Sequence, residues 1–249
     1  MSKNVLIVGG SSGLGKRLAE LYVQDGCQVG IIARREELLK EIQQKFPSNI
    51  HIRTADICDD MIDEKINALI NEMSGIDIMI ISASTGEINE ELITSIENKT
   101  VDVNVKGYLR VLTSAWHYFA QRGYGQIAGI TSIAAIRGNK MAPAYNASKA
   151  FQSSYLEALR VKSKFKNSNI KITELIPGFV RTAMGKGDRM FWVSSVEEAA
   201  RQCKRAIDKK RQKAYITKRW WLIYLLLKFI PIFIYDPLMN AAWKMKRKS

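Results

Sequence analysis

The chain has 249 residues, 47% hydrophobic and 25% charged, which suits a soluble body with a sizeable core. Three cysteines without CxxC or Cys/His spacing, and two distant histidines, His51 and His117, argue against a metal site and point to a reducing compartment. The net charge of +14 is unevenly placed. Residues 201–249 hold 14 Lys/Arg against two acids, whereas the first 200 residues are nearly neutral, so an anionic surface is the expected partner of the last fifth of the chain.

Met1-Ser2-Lys3-Asn4 leads at once into a strand-like run without the pattern of a secretory leader, and a cytoplasmic location is expected. In chain order, apolar runs at Val5–Val8, Val29–Ala33, Ile50–Thr54, Ile76–Ile81, Gln126–Thr131 and Ile170–Ile176 predict strands buried on both faces. Between them, helical spacing covers Leu14–Gln24, Arg35–Phe46, Met61–Met73, Thr94–Gln121 and Ala144–Lys164. A helix near Val196–Lys209 and a strand near Ala214–Thr217 complete the pattern. Strand–helix–strand repetition predicts an α/β, Rossmann-like, doubly wound parallel sheet forming a single domain over residues 1–217.

The first strand runs into Gly9-Gly10-Ser11-Ser12-Gly13-Leu14-Gly15. A pyrophosphate needs a turn that its oxygens can approach closely and a helix N-terminus with free N–H groups. A glycine turn between a strand and an amphipathic helix offers both. Further on, Tyr145-Asn146-Ala147-Ser148-Lys149 puts a phenol and an ammonium on one helix face. Hydride transfer to or from a carbon–oxygen centre also requires a proton to move, and a phenol beside a cation can act as acid and base. A second YxxxK, Tyr224 to Lys228, is read as a decoy, because no strand ending in a hydroxyl precedes it. Before Tyr145 stands Gly125–Thr131 followed by Ser132, at a strand's C-terminal end, where open α/β sheets place ligands.

The glycine turn, the YxxxK segment and the thirteen-residue Ser132–Tyr145 spacing together resemble the classical type of short-chain dehydrogenase/reductase. The resemblance covers about residues 1–182. It implies that Tyr145 is the acid/base, that Lys149 tunes it and holds the nicotinamide ribose, and that Ser132 binds the substrate oxygen. Asn104, in Asp102–Gly107, resembles the fourth catalytic residue, implied to hold a water that relays protons to Lys149. Departures are Val8 where the family has threonine, and Ile81-Ser82-Ala83-Ser84 where it has Asn-Asn-Ala-Gly, with Ala83 alone retained.

For the cofactor, the second strand ends in Ala33-Arg34-Arg35. An acid there suits the ribose hydroxyl of NAD; arginines suit the 2′-phosphate, so NADP is expected over NAD. The alternative is that both arginines belong to a solvated helix turn with Glu36 and Glu37. The implied cofactor set is Gly9, Ser11, Ser12, Gly13, Leu14, Gly15, Arg34, Arg35, Asp56, Ile57, Ala83, Tyr145, Lys149, Pro177, Gly178, Val180 and Thr182. No metal is expected. A lid at about residues 183–194, with Met184, Met190, Phe191 and Trp192, suits an apolar substrate and equally a packed core.

Residues 218–249 form a separate basic, apolar tail. Trp220–Tyr235 is too short to span a bilayer and is interrupted by Lys228 and Pro231. Flanking lysines and arginines, with Trp220, Trp221, Tyr224, Tyr235 and Trp243, suggest a monotopic anchor on the inner face of an anionic membrane. A helix roofing the active site is the alternative, and nucleic acid is not expected. The expected protein is an NADP-dependent reductase of a lipophilic or lipid-linked ketone, assembled as a homodimer or homotetramer. An NAD-dependent alcohol dehydrogenase and a catalytically silent dinucleotide-binding scaffold remain as alternatives.

Overall fold

The computed structural model describes residues 3–166, 168–181 and 191–247. Apolar runs become strands β1 (Asn4–Val8), β2 (Gln28–Ala33), β3 (Ile50–Thr54), β4 (Ile78–Ile81), β5 (Tyr124–Ile130), β6 (Asn169–Pro177) and β7 (Lys213–Ile216). All pair in parallel, in the order β3-β2-β1-β4-β5-β6-β7. Residues of β1 point alternately into two apolar layers: Val5 and Ile7 to one, Leu6 and Val8 to the other. This two-sided burial is why the strands read as unbroken apolar runs.

Helices cover both faces: α1 (Gly13–Gln24), α2 (Glu36–Lys45), α3 (Ile62–Glu72), α4 (Thr94–Val101), α5 (Tyr108–Arg122), α6 (Pro143–Phe165) and α7 (Val196–Asp208). In α1, Leu18, Ala19, Tyr22 and Val23 recur on one face and are buried, each large side chain contributing roughly 1.5–3 kcal/mol. Asp25 and Gly26 end the helix, the latter left-handed at φ +78°. Ser195 caps α7 by accepting from Glu198 N at 3.1 Å, and Arg17 of α1 pairs with Glu197 of α7. Helix α6 starts on Pro143, where the missing N–H costs nothing. Its first turn is also tied down by Glu97 of α4, which accepts from Ala144 N at 3.0 Å.

Helices α4 and α5 are joined without a break by a π-helical turn at Asp102–Gly107. One extra residue per turn is inserted there, a feature frequent at functional sites. It was not visible in the helical spacing of Thr94–Gln121.

The tail makes two further helices, α8 (Trp220–Phe229) and α9 (Ile232–Arg247), bent by 119° at the break. Pro231 causes the break: it lacks the N–H that Leu227 O would accept. Arg137 Nε, from the loop after β5, donates to Leu227 O at 2.9 Å instead, and its guanidinium also reaches Ile230 O. Tyr235 Oη, in α9, donates to Gly138 O at 2.7 Å. Among the described residues, no single helix is long and apolar enough to cross a membrane, although the bent pair passes by length and composition.

Candidate active site

Strand order reverses between β1 and β4, so the crevice beyond their C-terminal ends is the expected ligand position. Four segments converge on that edge: Gly9–Gly15 after β1, Ser82–Gly86 after β4, Thr131–Ser132 after β5, and Gly178–Arg181 after β6.

The turn after β1 needs glycine for a specific reason. Gly9 has φ +89°, and a Cβ there would lie 2.3 Å from Ala83 N. The close approach lets Ser82 and Ala83 donate to Val8 O at 2.8 and 2.9 Å, so the altered run after β4 still closes the sheet centre. Ser12 stands at the N-cap of α1 without a side-chain capping bond, and no acid occupies the first turn. The helix therefore offers unused N–H groups and a positive dipole end beside serine hydroxyls. Such a cradle fits a pyrophosphate.

Arg35 Nη2 donates to Ser12 Oγ at 2.8 Å and Ser11 Oγ at 3.2 Å. Arg34 pairs with Asp56 at 3.4 Å. Neither arginine is bonded to the helix α2 acids; Glu36 is taken by Lys40 at 2.6 Å. The Arg35 guanidinium thus borders the glycine turn, and that of Arg34 lies beside Asp56. Asp56 also accepts from Cys58 N at 2.9 Å, whereas the Ile57 side chain faces the core and packs on Gly107. Leu14 is partly buried against the other core layer.

Ser132 is 8% exposed and caps a short 3-10 turn (Ile133–Ala135), accepting from Ala134 N at 3.1 Å. Its hydroxyl also neighbours the Tyr145 phenol and favours the phenolate. The strand-end cap and the neighbour of the Tyr145 phenol are therefore one residue. Lys149 lies one turn along α6, its Nζ 5.7 Å from the centre of the Tyr145 ring. Tyr145 also packs on Gly86, where a Cβ would sit 2.5 Å from the ring.

The sequence predicts that a nearby ammonium lowers the Tyr145 pKa. Among the protein's own groups the balance is the reverse. Burial pushes the phenol up, and the neighbouring Ser132 hydroxyl only partly opposes it. Lys149 is fully buried, and burial brings its ammonium down to about 7. Half-neutral at that pH, it cannot offset the desolvation of Tyr145.

Asn104 sits in the π turn with no exposed surface. Its side chain accepts from Thr85 N at 2.9 Å and Ser84 Oγ at 3.1 Å, and donates to Thr85 O at 2.7 Å and Ser148 Oγ at 3.0 Å. Ser84, where the family run has glycine, and the Thr85 backbone are thus the clamp on Asn104. Its main-chain carbonyl accepts from Gln152 Nε2 at 2.8 Å.

On the far side, Pro177 ends β6 and Val180 is tied to Ser194 by an isolated bridge. Thr182 and lid residues 183–190, Met184 and Met190 among them, lie outside the described residues. Phe179, Phe191 and Trp192 surround Trp220 at ring separations of 5.3, 5.2 and 6.1 Å. Gly178 is what admits Trp220, since a Cβ would lie 1.9 Å from the indole. Trp220 is 2% exposed, and its Nε1 has no partner among the described residues. The decoy pair is elsewhere: Tyr224 stacks on Tyr215 of β7 at 5.0 Å.

Sequence reasoning missed Gln152, Gly86 and Arg137 in this site, and read Trp220 as a membrane-interface residue of the tail with a roofing helix as the alternative, where the structure buries it. Gln152 lies three positions beyond Lys149, a helical neighbour and so open to inference. Gly86 and Arg137 act through contacts far apart in the chain and leave no local signal.

Among proteins compared with this chain, an uncharacterized oxidoreductase of Staphylococcus epidermidis is 28% identical over 188 residues, 74% of this chain and 81% of its own length. The 11-beta-hydroxysteroid dehydrogenase-like 2 of Arabidopsis thaliana is 29% identical over 249 residues, 90% and 76% respectively. The solved structure of ElxO with NADP bound is 23% identical, covers 87% of this chain and 97% of its own, and superposes with a TM-score of 0.76. The short chain dehydrogenase family model matches residues 3–192. The chain belongs to the short-chain dehydrogenase family, and with it to the nicotinamide-dependent oxidoreductases.

Proposed function

We propose that this protein is an NADP-dependent reductase that converts a lipophilic or lipid-linked ketone to a secondary alcohol at the cytoplasmic face of an anionic membrane. The observation that carries the reading is the convergence of Tyr145, Ser132, Lys149 and Asn104 at the end of β5, beside the glycine turn of β1. Bound NADPH supplies the hydride. Tyr145 gives the proton that the carbonyl oxygen gains, and Ser132 donates a hydrogen bond to that oxygen as charge develops. A phenol raised by burial keeps its proton at neutral pH, which favours reduction over alcohol oxidation. Ser84 and Thr85 hold Asn104 in place rather than leaving it idle, which counts against the silent-scaffold alternative.

For the cofactor, Arg34 and Arg35 are taken to receive the 2′-phosphate, with Ser11, Ser12, Gly13 and the α1 N-terminus on the pyrophosphate. For the substrate, the aromatic group around Trp220 gives an apolar wall, and the resemblance in name of the Arabidopsis relative points to a ring-bearing or similarly lipophilic ketone. For the membrane, Trp221, Leu222, Leu226, Phe229, Ile232 and Phe233 are exposed on α8 and α9, among Lys218, Arg219 and Lys228. Apolar residues over a basic rim suit the interfacial layer of an anionic leaflet. The tail then serves both readings given for it, as anchor and as wall. A dimer or tetramer through the α5 and α6 faces is the expected assembly, and Val161 and Phe165, 56% and 89% exposed on α6, are its apolar candidates.

The test is NADPH consumption with a panel of apolar ketones on anionic vesicles, for the wild type and Tyr145→Phe. The variant should bind NADPH normally and lose turnover by about 100-fold or more. Undiminished turnover refutes the acid/base assignment.

A further inference from the structure

Among the described residues, Lys149 is a buried cation without a carboxylate partner. Its Nζ donates to two neutral oxygens, the Ile130 carbonyl at 3.2 Å and Gln152 Oε1 at 2.9 Å. Gln152 has no exposed surface. Its amide is oriented from the other end: Asn104 O can only accept, so Nε2 must face it and Oε1 must face Lys149. The glutamine therefore bridges the two chemical elements of the site, the helix of Tyr145 and the π turn of Asn104.

We propose that Gln152 is a positioning residue of the proton-transfer set, fixing the Lys149 ammonium against the π turn and supplying the acceptor that keeps it charged in a dry site. The proposal rests on the reading of Tyr145 and Lys149 as the acid/base pair. No ion pair competes for the role among the described residues. On α6 itself, Tyr145 faces Lys149 through its ring. From α4, Glu97 is engaged by Ala144 N and Asn89. In the π turn, Asp102 and Lys106 pair with each other at 2.9 Å. On β6, Glu174 pairs with Lys213 at 3.0 Å. Removing the Gln152 oxygen would leave the ammonium only the Ile130 carbonyl, and its proton would be lost at lower pH.

The experiment needs no substrate. Full-length protein carrying carbon-13 at lysine Cε is titrated by NMR, with Lys149→Met identifying the resonance. The wild-type midpoint is expected near 7. Gln152→Leu should lower it by about one pH unit, and Gln152→Glu, which adds a negative acceptor, should raise it by at least about as much. NADPH binding and thermal melting check that each variant is folded. If Gln152→Leu does not fold, the direction of the Gln152→Glu shift decides. A midpoint unmoved within about 0.3 units in the folded variants overturns the proposal, because a merely structural amide would not set the charge of Lys149. Full turnover by Tyr145→Phe would instead overturn the parent assignment, whatever the lysine titration shows.

Discussion

Discrimination between NADPH and NADH should depend on Arg35 more than on Arg34. Arg35 is anchored over the glycine turn by bonds of 2.8 and 3.2 Å to Ser12 and Ser11, with the rest of its fork free to meet a phosphate. A charge-assisted bond to phosphate is worth about 1.5–3 kcal/mol when sheltered; both arginines are solvent-exposed, so about 1–2 kcal/mol is the fair figure for Arg35. That predicts roughly 5- to 30-fold weaker NADPH binding for Arg35→Ala. The Arg34 side chain is 62% exposed, and its 3.4 Å contact with Asp56 is long. Its loss should cost only about 0.5–1 kcal/mol, roughly 2- to 5-fold. The assay is a fluorescence titration with NADPH and NADH at low and high salt. NADH affinity should hold in both variants, and the NADPH defect should shrink with salt. Equal losses for both cofactors would show that the arginines shape the loop rather than read the phosphate. Tighter wild-type binding of NADH would overturn the NADP assignment.

Trp220→Ala should destabilise the protein by about 3–5 kcal/mol, since the indole is enclosed by three other aromatic rings, and lower Tm by roughly 6–20 °C; a change under about 2 °C would mean that the tail is not docked there. Lys149→Met should stabilise the cofactor-free protein in a pH-dependent way. Below about pH 7 both states carry the lysine proton and the folded one bears the full cost of burying it; between about 7 and 10 only the unfolded chain keeps the proton, so that cost fades. Calorimetry should thus find the largest gain near pH 6 and almost none near pH 10, whereas a gain independent of pH would contradict the burial argument. In flotation assays, the protein should bind vesicles rich in anionic lipid and release with salt, and Trp221→Glu with Leu226→Glu should abolish binding; equal binding to neutral vesicles would refute the basic-rim argument.

The sheet was legible because each strand is buried on two faces and so spells an apolar run. The acid/base pair was legible because Tyr145 and Lys149 share one helix face, and Ser132 because it ends a strand on the ligand-binding edge. The π turn was not, because its extra residue is stabilised from outside the helix, by the Ser84-Thr85 clamp on Asn104 and by Gln152 on its carbonyl. The shift of Tyr145 was misjudged for a related reason. Spacing shows that a cation is near, but only the packed structure shows that the cation is buried too and has itself lost affinity for its proton. The kink at Pro231 was readable from proline alone; the arginine that answers it lies more than ninety positions earlier, in a loop with no pattern of its own.

Arg137 and Pro231 form a matched pair in space. The proline strips Leu227 of its helical donor, and the arginine replaces it. Either one alone leaves a group without its partner, so the break in the tail and the loop after β5 depend on each other. A tail transplanted onto another member of the family would therefore have to travel with that loop.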